Sequence, residues 1–218
     1  MVLSAAGLER AVGARVLWRG FSLELRRGES VALTGPSGSG KTVLLRTLAG
    51  LEPVEAGEVT LDGRSQRDWR MPAFRARVSY LSQRPVLFEG SVLDNLRRPF
   101  ALRIHRDRRF DPDRALSLLA RLGRDDVFLS QQGANLSGGE GQIVALVRVL
   151  LVEPTVLLLD EATASLDPDA TRRVEALIAD WRRESRERAC LWVSHDPAQL
   201  GRVATRSVSL RDEWGVTA

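Results

Sequence analysis

Two spacings of apolar residues run through the chain and separate strands from helices. Residues 2–12 and 16–25 alternate apolar with polar positions, the period of half-buried strands, and the second stretch is expected to turn at Gly20. Short apolar runs at residues 29–33, 78–81, 155–159 and 189–193 predict core strands, and residues 57–61 a further short strand ended by Asp62-Gly63. Val43, Leu44, Leu45, Leu48 and Leu51 follow helical spacing, closed near Gly50; Ile143, Val144, Val147, Leu150 and Leu151 make a second stripe, stopped by Pro154. Ser91 with Asp94 resembles a capping box with Asp in place of Glu. Asp111-Pro112 is an N-cap with proline at the first helical position, and Gly123 stops that helix. Pro168 opens a long helix to about Glu187, with Arg and Glu on its outer face. An antiparallel arm ahead of a βαβ core suggests a sheet edge attached to a doubly wound body.

Composition narrows the picture. At 218 residues the chain is one large domain or two small ones, and 44 % hydrophobic residues suffice for a real core. The formal charge is +4 while the pI is about 10.3. With one Tyr, one Cys and a single Lys, few groups titrate between neutrality and the Arg range, so the high pI does not imply nucleic-acid binding. No N-terminal signal and no 18-residue apolar run is present, so the chain is expected not to cross a membrane by itself. Cys190, in an apolar strand, reads as a buried structural thiol of a reducing compartment. The basic stretch 103–109, with Ile104 and His105 interleaved, is a solvated helix end or loop, or else a surface for membrane headgroups or an acidic partner loop.

Candidate chemistry starts at Gly35-Pro36-Ser37-Gly38-Ser39-Gly40-Lys41-Thr42, between a predicted strand and a predicted helix. That context makes it the phosphate-binding spacing G-x-x-x-x-G-K-[ST]. Glycines let the backbone wrap an anion, and the N–H groups at the positive helix end face it. Lys41 is placed to reach the β- and γ-phosphates, and the Thr42 hydroxyl to ligate Mg²⁺. Of the 32 Lys and Arg residues only Lys41 is lysine; a compact ammonium fits inside a tight loop where a planar guanidinium does not. Ser137-Gly138-Gly139 opens the second apolar helix and is either another anion-binding terminus or an ordinary cap. Asp160-Glu161 ends a strand. The pair either divides the work, with Asp160 on Mg²⁺ and Glu161 polarising an attacking water, or is a surface acidic pair. Gln83, at another strand end, reads alone as a solvated side chain. His195, at a third, is a lone histidine or a contact to the γ-phosphate and attacking water. Ser194-His195-Asp196 is no hydrolytic triad, because neighbouring side chains cannot line up nucleophile, base and orienter.

Taken together, and over nearly the whole chain, these motifs resemble the ATP-binding subunit of ABC transporters. The resemblance makes residues 35–42 Walker A, Gln83 the Q-loop glutamine and Leu136-Ser137-Gly138-Gly139-Glu140 the signature. Residues 155–160 become Walker B, Glu161 the catalytic glutamate, Ser165-Leu166-Asp167 the D-loop and His195 the switch histidine. It implies an α/β P-loop NTPase with a RecA-like mixed-sheet core, an antiparallel β subdomain and an inserted helical subdomain. The division falls at 1–83 and 150–218 for core plus β subdomain, and 84–149 for the helical part. Lys41, Gln83, Glu161 and His195 are then catalytic, Thr42, Gln83 and Asp160 hold the metal, and ATP with Mg²⁺ are the cofactors. Two copies are expected to pack head to tail, each ATP lying between one Walker A and the other copy's Ser137, Gly138, Gly139 and Glu140. A separate permease is expected to dock on the helical segment 84–100, placing the chain at the cytoplasmic face of the plasma membrane with no nucleic-acid partner.

A narrower likeness lies in Gln83-Arg84-Pro85-Val86-Leu87-Phe88, Asp94-Asn95-Leu96, Pro99-Phe100 and residues 191–196, which are similar to the FetA-type ATPases that pair with a FetB-type permease in iron export. Alternatives are an importer ATPase for another small solute and a soluble ABC-type ATPase acting on DNA or ribosomes. The latter usually carry coiled-coil insertions or fused halves, which this chain lacks. A nucleotide-gated module with little turnover is the third, and the intact Lys41, Asp160, Glu161 and His195 argue against it. The chain departs from the family pattern in three places. Val12 stands where an aromatic residue stacks on adenine, with Trp18 the nearest aromatic; the usual Gln-Arg pair reads Gln142-Ile143; and the fifth signature residue is Glu140.

Overall fold

The structure, a computed structural model, describes residues 1–210. In chain order, β1 (Leu3–Val12) and β2 (Arg15–Leu25) form a hairpin, and β3 (Ser30–Thr34) leads through the glycine-rich loop into α1 (Lys41–Leu48). β4 (Ala56–Leu61), β5 (Arg64–Ser65), α2 (Met71–Arg77) and β6 (Val78–Leu81) follow. Next come α3 (Val92–Arg97), α4 (Pro112–Arg121) and α5 (Gly138–Leu151). The chain then returns through β7 (Val156–Asp160), α6 (Pro168–Arg183), β8 (Ala189–Val193), α7 (Pro197–Val203) and β9 (Arg206–Ser209).

The strands divide into two sheets. An antiparallel sheet runs β2-β1-β4-β5, and a parallel sheet runs β6-β7-β8-β3-β9. The antiparallel arm is thus a sheet of its own beside an α/β body. β2 passes through Gly20 without turning back, because a shift of register between Leu8↔Phe21 and Arg10↔Trp18 absorbs the glycine as an irregularity. α6 ends at Arg183, short of Glu187.

Alternation along the central strands explains why they are apolar throughout. Val156 and Leu158 of β7 face one core with Ala189, Leu191 and Val193 of β8, the loop helix residues Leu44, Leu45 and Leu48, and the antiparallel sheet. Leu157 and Leu159, with Cys190 and Trp192, face a second core built on α3, α4, α5 and α6. Each central strand thus buries both faces, which is the demand a parallel sheet covered on two sides makes of its sequence. Cys190 is a buried free thiol in that second core, and burial pushes it up from its ordinary value. The 103–109 stretch has a buried member: His105 packs inward near Phe100, while Ile104 stays exposed.

Candidate active site

Four adjacent parallel strands, β6, β7, β8 and β3, deliver the candidate residues at their carboxyl ends, where open α/β sheets bind ligands. β3 feeds the 35–42 loop, β6 feeds Gln83, β7 ends on Asp160 and Glu161, and β8 on His195. Lys41, Thr42, Ser37, Gly38, Gly40, Asp160, Glu161 and His195 share one open cleft of about 530 Å³ with Val12, Arg15 and Leu17 from the β1–β2 hairpin.

Within the loop, the Lys41 ammonium folds back over its own backbone and donates to the carbonyls of Gly35 and Pro36, each at 2.8 Å. Three donors on a point charge suit this cradle; a guanidinium would need a wider one. Gly40, the residue before α1, has φ +91°, and a Cβ there would come within 2.9 Å of Trp18 Nε1 and 3.1 Å of Leu17 Cδ1. Glycine is therefore required by both conformation and space. Trp18 lies beneath the loop, 1 % exposed, so it does not offer its ring to the cleft.

Glu161 stands at the centre of a hydrogen-bonded set. Gln83 Nε2 donates to its Oε2 at 2.9 Å, and His195 Nε2 lies 2.9 Å from its Oε1. The Glu161 backbone adopts φ +51°, held by its N–H on the Val193 carbonyl and its own carbonyl on Ala164 N–H. A left-handed non-glycine residue costs on the order of 1 kcal/mol and persists where surrounding structure fixes it, often at a working site. Asp160 is 3 % exposed, and Tyr80, the chain's one tyrosine, donates its hydroxyl to Asp160 Oδ2 at 2.8 Å. Burial first, and then that bond, push the Tyr80 phenol far up. Sequence reasoning missed Tyr80. Its signal was position, since Tyr80 lies opposite Leu158 in the β6–β7 pairing, two residues short of Asp160.

The signature residues lie elsewhere. Ser137, Gly138, Gln83 and Ser165 line a separate cleft with Arg84, Pro85 and Leu87. Ser137 caps α5. Its hydroxyl accepts from Glu140 N–H at 3.3 Å and donates to Glu140 Oε2 at 2.8 Å, while its own N–H donates to the same oxygen at 2.9 Å. Arg124 adds an ion pair to Glu140 at 3.2 Å, so a cation reaches the signature from outside α5 although Ile143 supplies none. A Cβ on Gly139 would stand 2.8 Å from the Ser165 carbonyl, so the predicted D-loop packs against the signature of its own chain. Gln142 Nε2 donates to the Ser82 carbonyl at 3.3 Å, tying α5 to the strand end that carries Gln83. The structure therefore joins Lys41, Thr42, Asp160, Glu161, His195 and Gln83, and leaves Ser137, Gly138, Gly139 and Glu140 at a second tip with Ser137 and Gly138 exposed.

Known proteins resemble the chain in both sequence and fold. Residues 18–164 match the protein family described as ABC transporter. The chain is 37 % identical over 195 residues to the "Probable iron export ATP-binding protein FetA" of Escherichia coli K12, covering 89 % of this chain and 84 % of that protein. It is 39 % identical over 210 residues to the "Aliphatic sulfonates import ATP-binding protein SsuB 1" of Nocardia farcinica, covering 96 % and 78 %. Its fold matches the solved dimeric structure of a bacterial ABC transporter cassette with a TM-score of 0.83 and 25 % identity, over 96 % of this chain and 94 % of that one. The relatives thus include both exporters and importers. The chain belongs to the ABC transporter family, as an ATP-binding and ATP-hydrolysing subunit.

Proposed function

We propose that Glu161 is the base of ATP hydrolysis in a chain that works as a head-to-tail pair beneath a separate permease. The observation that carries this reading is the Glu161 carboxylate held between Gln83 and His195 beside the Lys41 loop. Lys41 trades its two loop carbonyls for the β- and γ-phosphates, supplying positive charge where the transferred group develops negative charge. The Thr42 hydroxyl and the Asp160 carboxylate offer two hard oxygens, which suits Mg²⁺ completing its shell with phosphate oxygens and water; the ion would neutralise phosphate charge there. Tyr80 fixes the Asp160 carboxylate for that task. Glu161 Oε2 accepts from Gln83 and keeps a second lone pair, which accepts the water proton while His195 holds Oε1; the position of Gln83 fixes where that lone pair points.

Gln83 leads directly into the surface where the permease docks. Val86 is 75 % and Phe88 42 % exposed, and Phe88 lies under Arg98 at 4.1 Å and Arg148 at 5.3 Å. Asn95, fully buried, clamps this segment by accepting from Phe88 N–H at 2.8 Å and donating to the Phe88 carbonyl at 3.0 Å. A push on residues 84–100 therefore moves Gln83 relative to Glu161, coupling permease to hydrolysis. The exposed Ser137 and Gly138, in a cleft apart from Lys41, support a role on the second copy's ATP. Among the described residues no helix is long and apolar enough to cross a membrane, which suits a peripheral subunit at the cytoplasmic face. The likeness to FetA, together with the 83–88 and 94–100 segments, supports a FetB-like permease and iron or another metal ion as cargo.

Glu161→Gln tests the reading. It keeps shape and ATP binding, loses the base, and is expected to lower kcat by at least about a hundredfold while trapping an ATP-bound dimer on a sizing column. Turnover at the unmutated rate would remove Glu161 from the reaction.

A further inference from the structure

We propose that Arg15 carries the nucleobase, its guanidinium providing the flat face that an aromatic side chain does not provide in this chain. The inference rests on the assignment of the Lys41 cleft as the nucleotide site. The β1–β2 hairpin turns tightly through Gly13, at φ +60°, and sets Val12 opposite Arg15 at the cleft edge. Val12 is 56 % exposed, and Leu17 lines the same wall two residues beyond Arg15. The Arg15 side chain reaches across to the phosphate loop: its two terminal nitrogens stand 3.6 and 3.7 Å from the point a Cβ on Gly38 would occupy. Among the described residues it makes no ion pair, so its charge and plane are not committed elsewhere. Trp18, the nearest aromatic ring along the sequence, is buried beneath Gly40 and cannot take that place.

A purine has two faces and needs a surface for at least one. Aliphatic Val12 and Leu17 give dispersion contact, and a guanidinium lying on the base gives stacking plus cation–π attraction. Stacking reads the π-face and leaves the hydrogen-bonding edge unread, so the ligand class is purine nucleoside triphosphates at large, and GTP binds within about threefold of ATP.

The decisive experiment measures calorimetric affinities for ATP, GTP and inorganic tripolyphosphate at fixed Mg²⁺. Arg15→Ala weakens ATP and GTP about tenfold and leaves tripolyphosphate unchanged. Arg15→Lys behaves like Arg15→Ala, because it keeps charge without a plane, and Val12→Tyr in the Arg15→Ala background restores ATP affinity. Equal losses for all three probes would make Arg15 a phosphate contact and overturn the proposal, as would an unchanged ATP affinity. Lys41→Ala is the control for the site itself. If it leaves tripolyphosphate binding intact, the cleft assignment fails and Arg15 falls with it.

Discussion

Two helix tips in this chain are the candidate contacts to nucleotide phosphates, and they are finished in opposite ways. α1 begins at Gly40, with φ +91°, no side-chain cap and no acidic residue in its first turn. α5 begins at Ser137, with a complete capping box and Glu140 in its first turn. The first leaves its N–H donors to whatever enters the loop, which suits it to bind phosphate unaided. At the second, the capping box satisfies the Ser137 and Glu140 N–H groups and sets the Glu140 carboxylate beside the tip, so a phosphate finds the Gly138 and Gly139 N–H groups but also meets a like charge. A tip of the first kind can hold nucleotide in a lone chain. A tip of the second kind yields only to a ligand already brought close by other contacts, which is what a second copy carrying ATP provides.

The largest effect is expected from closing the open tip. Gly40→Ala forces an L side chain into left-handed backbone and drives a Cβ against Trp18 and Leu17. Strain of this kind is worth about 3 kcal/mol, and a loop that shifts to relieve it loses the phosphate cradle, so ATP affinity falls on the order of a hundredfold. Calorimetry with ATP checks it; an affinity within twofold would mean the loop geometry is not what binds. The second effect separates the tips. Ser137→Arg fills the α5 tip and leaves the α1 loop alone, so single chains keep ATP affinity within about twofold while hydrolysis drops at least about tenfold. Normal hydrolysis in that variant would sink the head-to-tail reading.

Both tips were legible in the sequence because each is local. A loop between strand and helix, and a serine three residues before a glutamate, are fixed by neighbours in the chain. The same holds for the Ser91–Asp94 box and for Asp111, whose carboxylate accepts from Asp113 and Arg114 N–H groups. Central strand β8 matches its apolar run to the residue, since a strand buried on both faces must be apolar throughout, and edge strand β6 matches its run through Val78 and Leu81. Elements that bury few residues escaped. α2 buries only Phe74, α7 only Gln199, and β9 reads Arg-Ser-Val-Ser, a strand only because β3 pairs with it along one edge. Tyr80 and Arg15 escaped for another reason. One needs the β6–β7 register and the other the approach of a hairpin to a loop 23 positions further on, and neither is written in local spacing.

The smallest effect probes the charge that finishes the α5 tip. The Ser137 backbone N–H and then its hydroxyl hold the Glu140 carboxyl below its ordinary value, against an opposing push from burial that exceeds the further pull of Arg124. A carboxylate depressed in the folded state adds stability above its unfolded pKa of roughly 4.3, and that addition is lost as pH falls through the folded value. Glu140→Gln can still accept the two Ser137 hydrogen bonds, as capping boxes with glutamine do, but it cannot titrate. Thermal unfolding at pH 7 should therefore place the variant below the parent by about 0.5 kcal/mol, the difference between a charged and a neutral acceptor at an exposed cap. At a pH below the depressed folded value the gap should close, because the parent cap is then neutral too. A gap that stays constant between the two pH values would show that the carboxylate charge does not stabilise this tip, and the contrast with α1 would then rest on the hydrogen bonds of the cap alone.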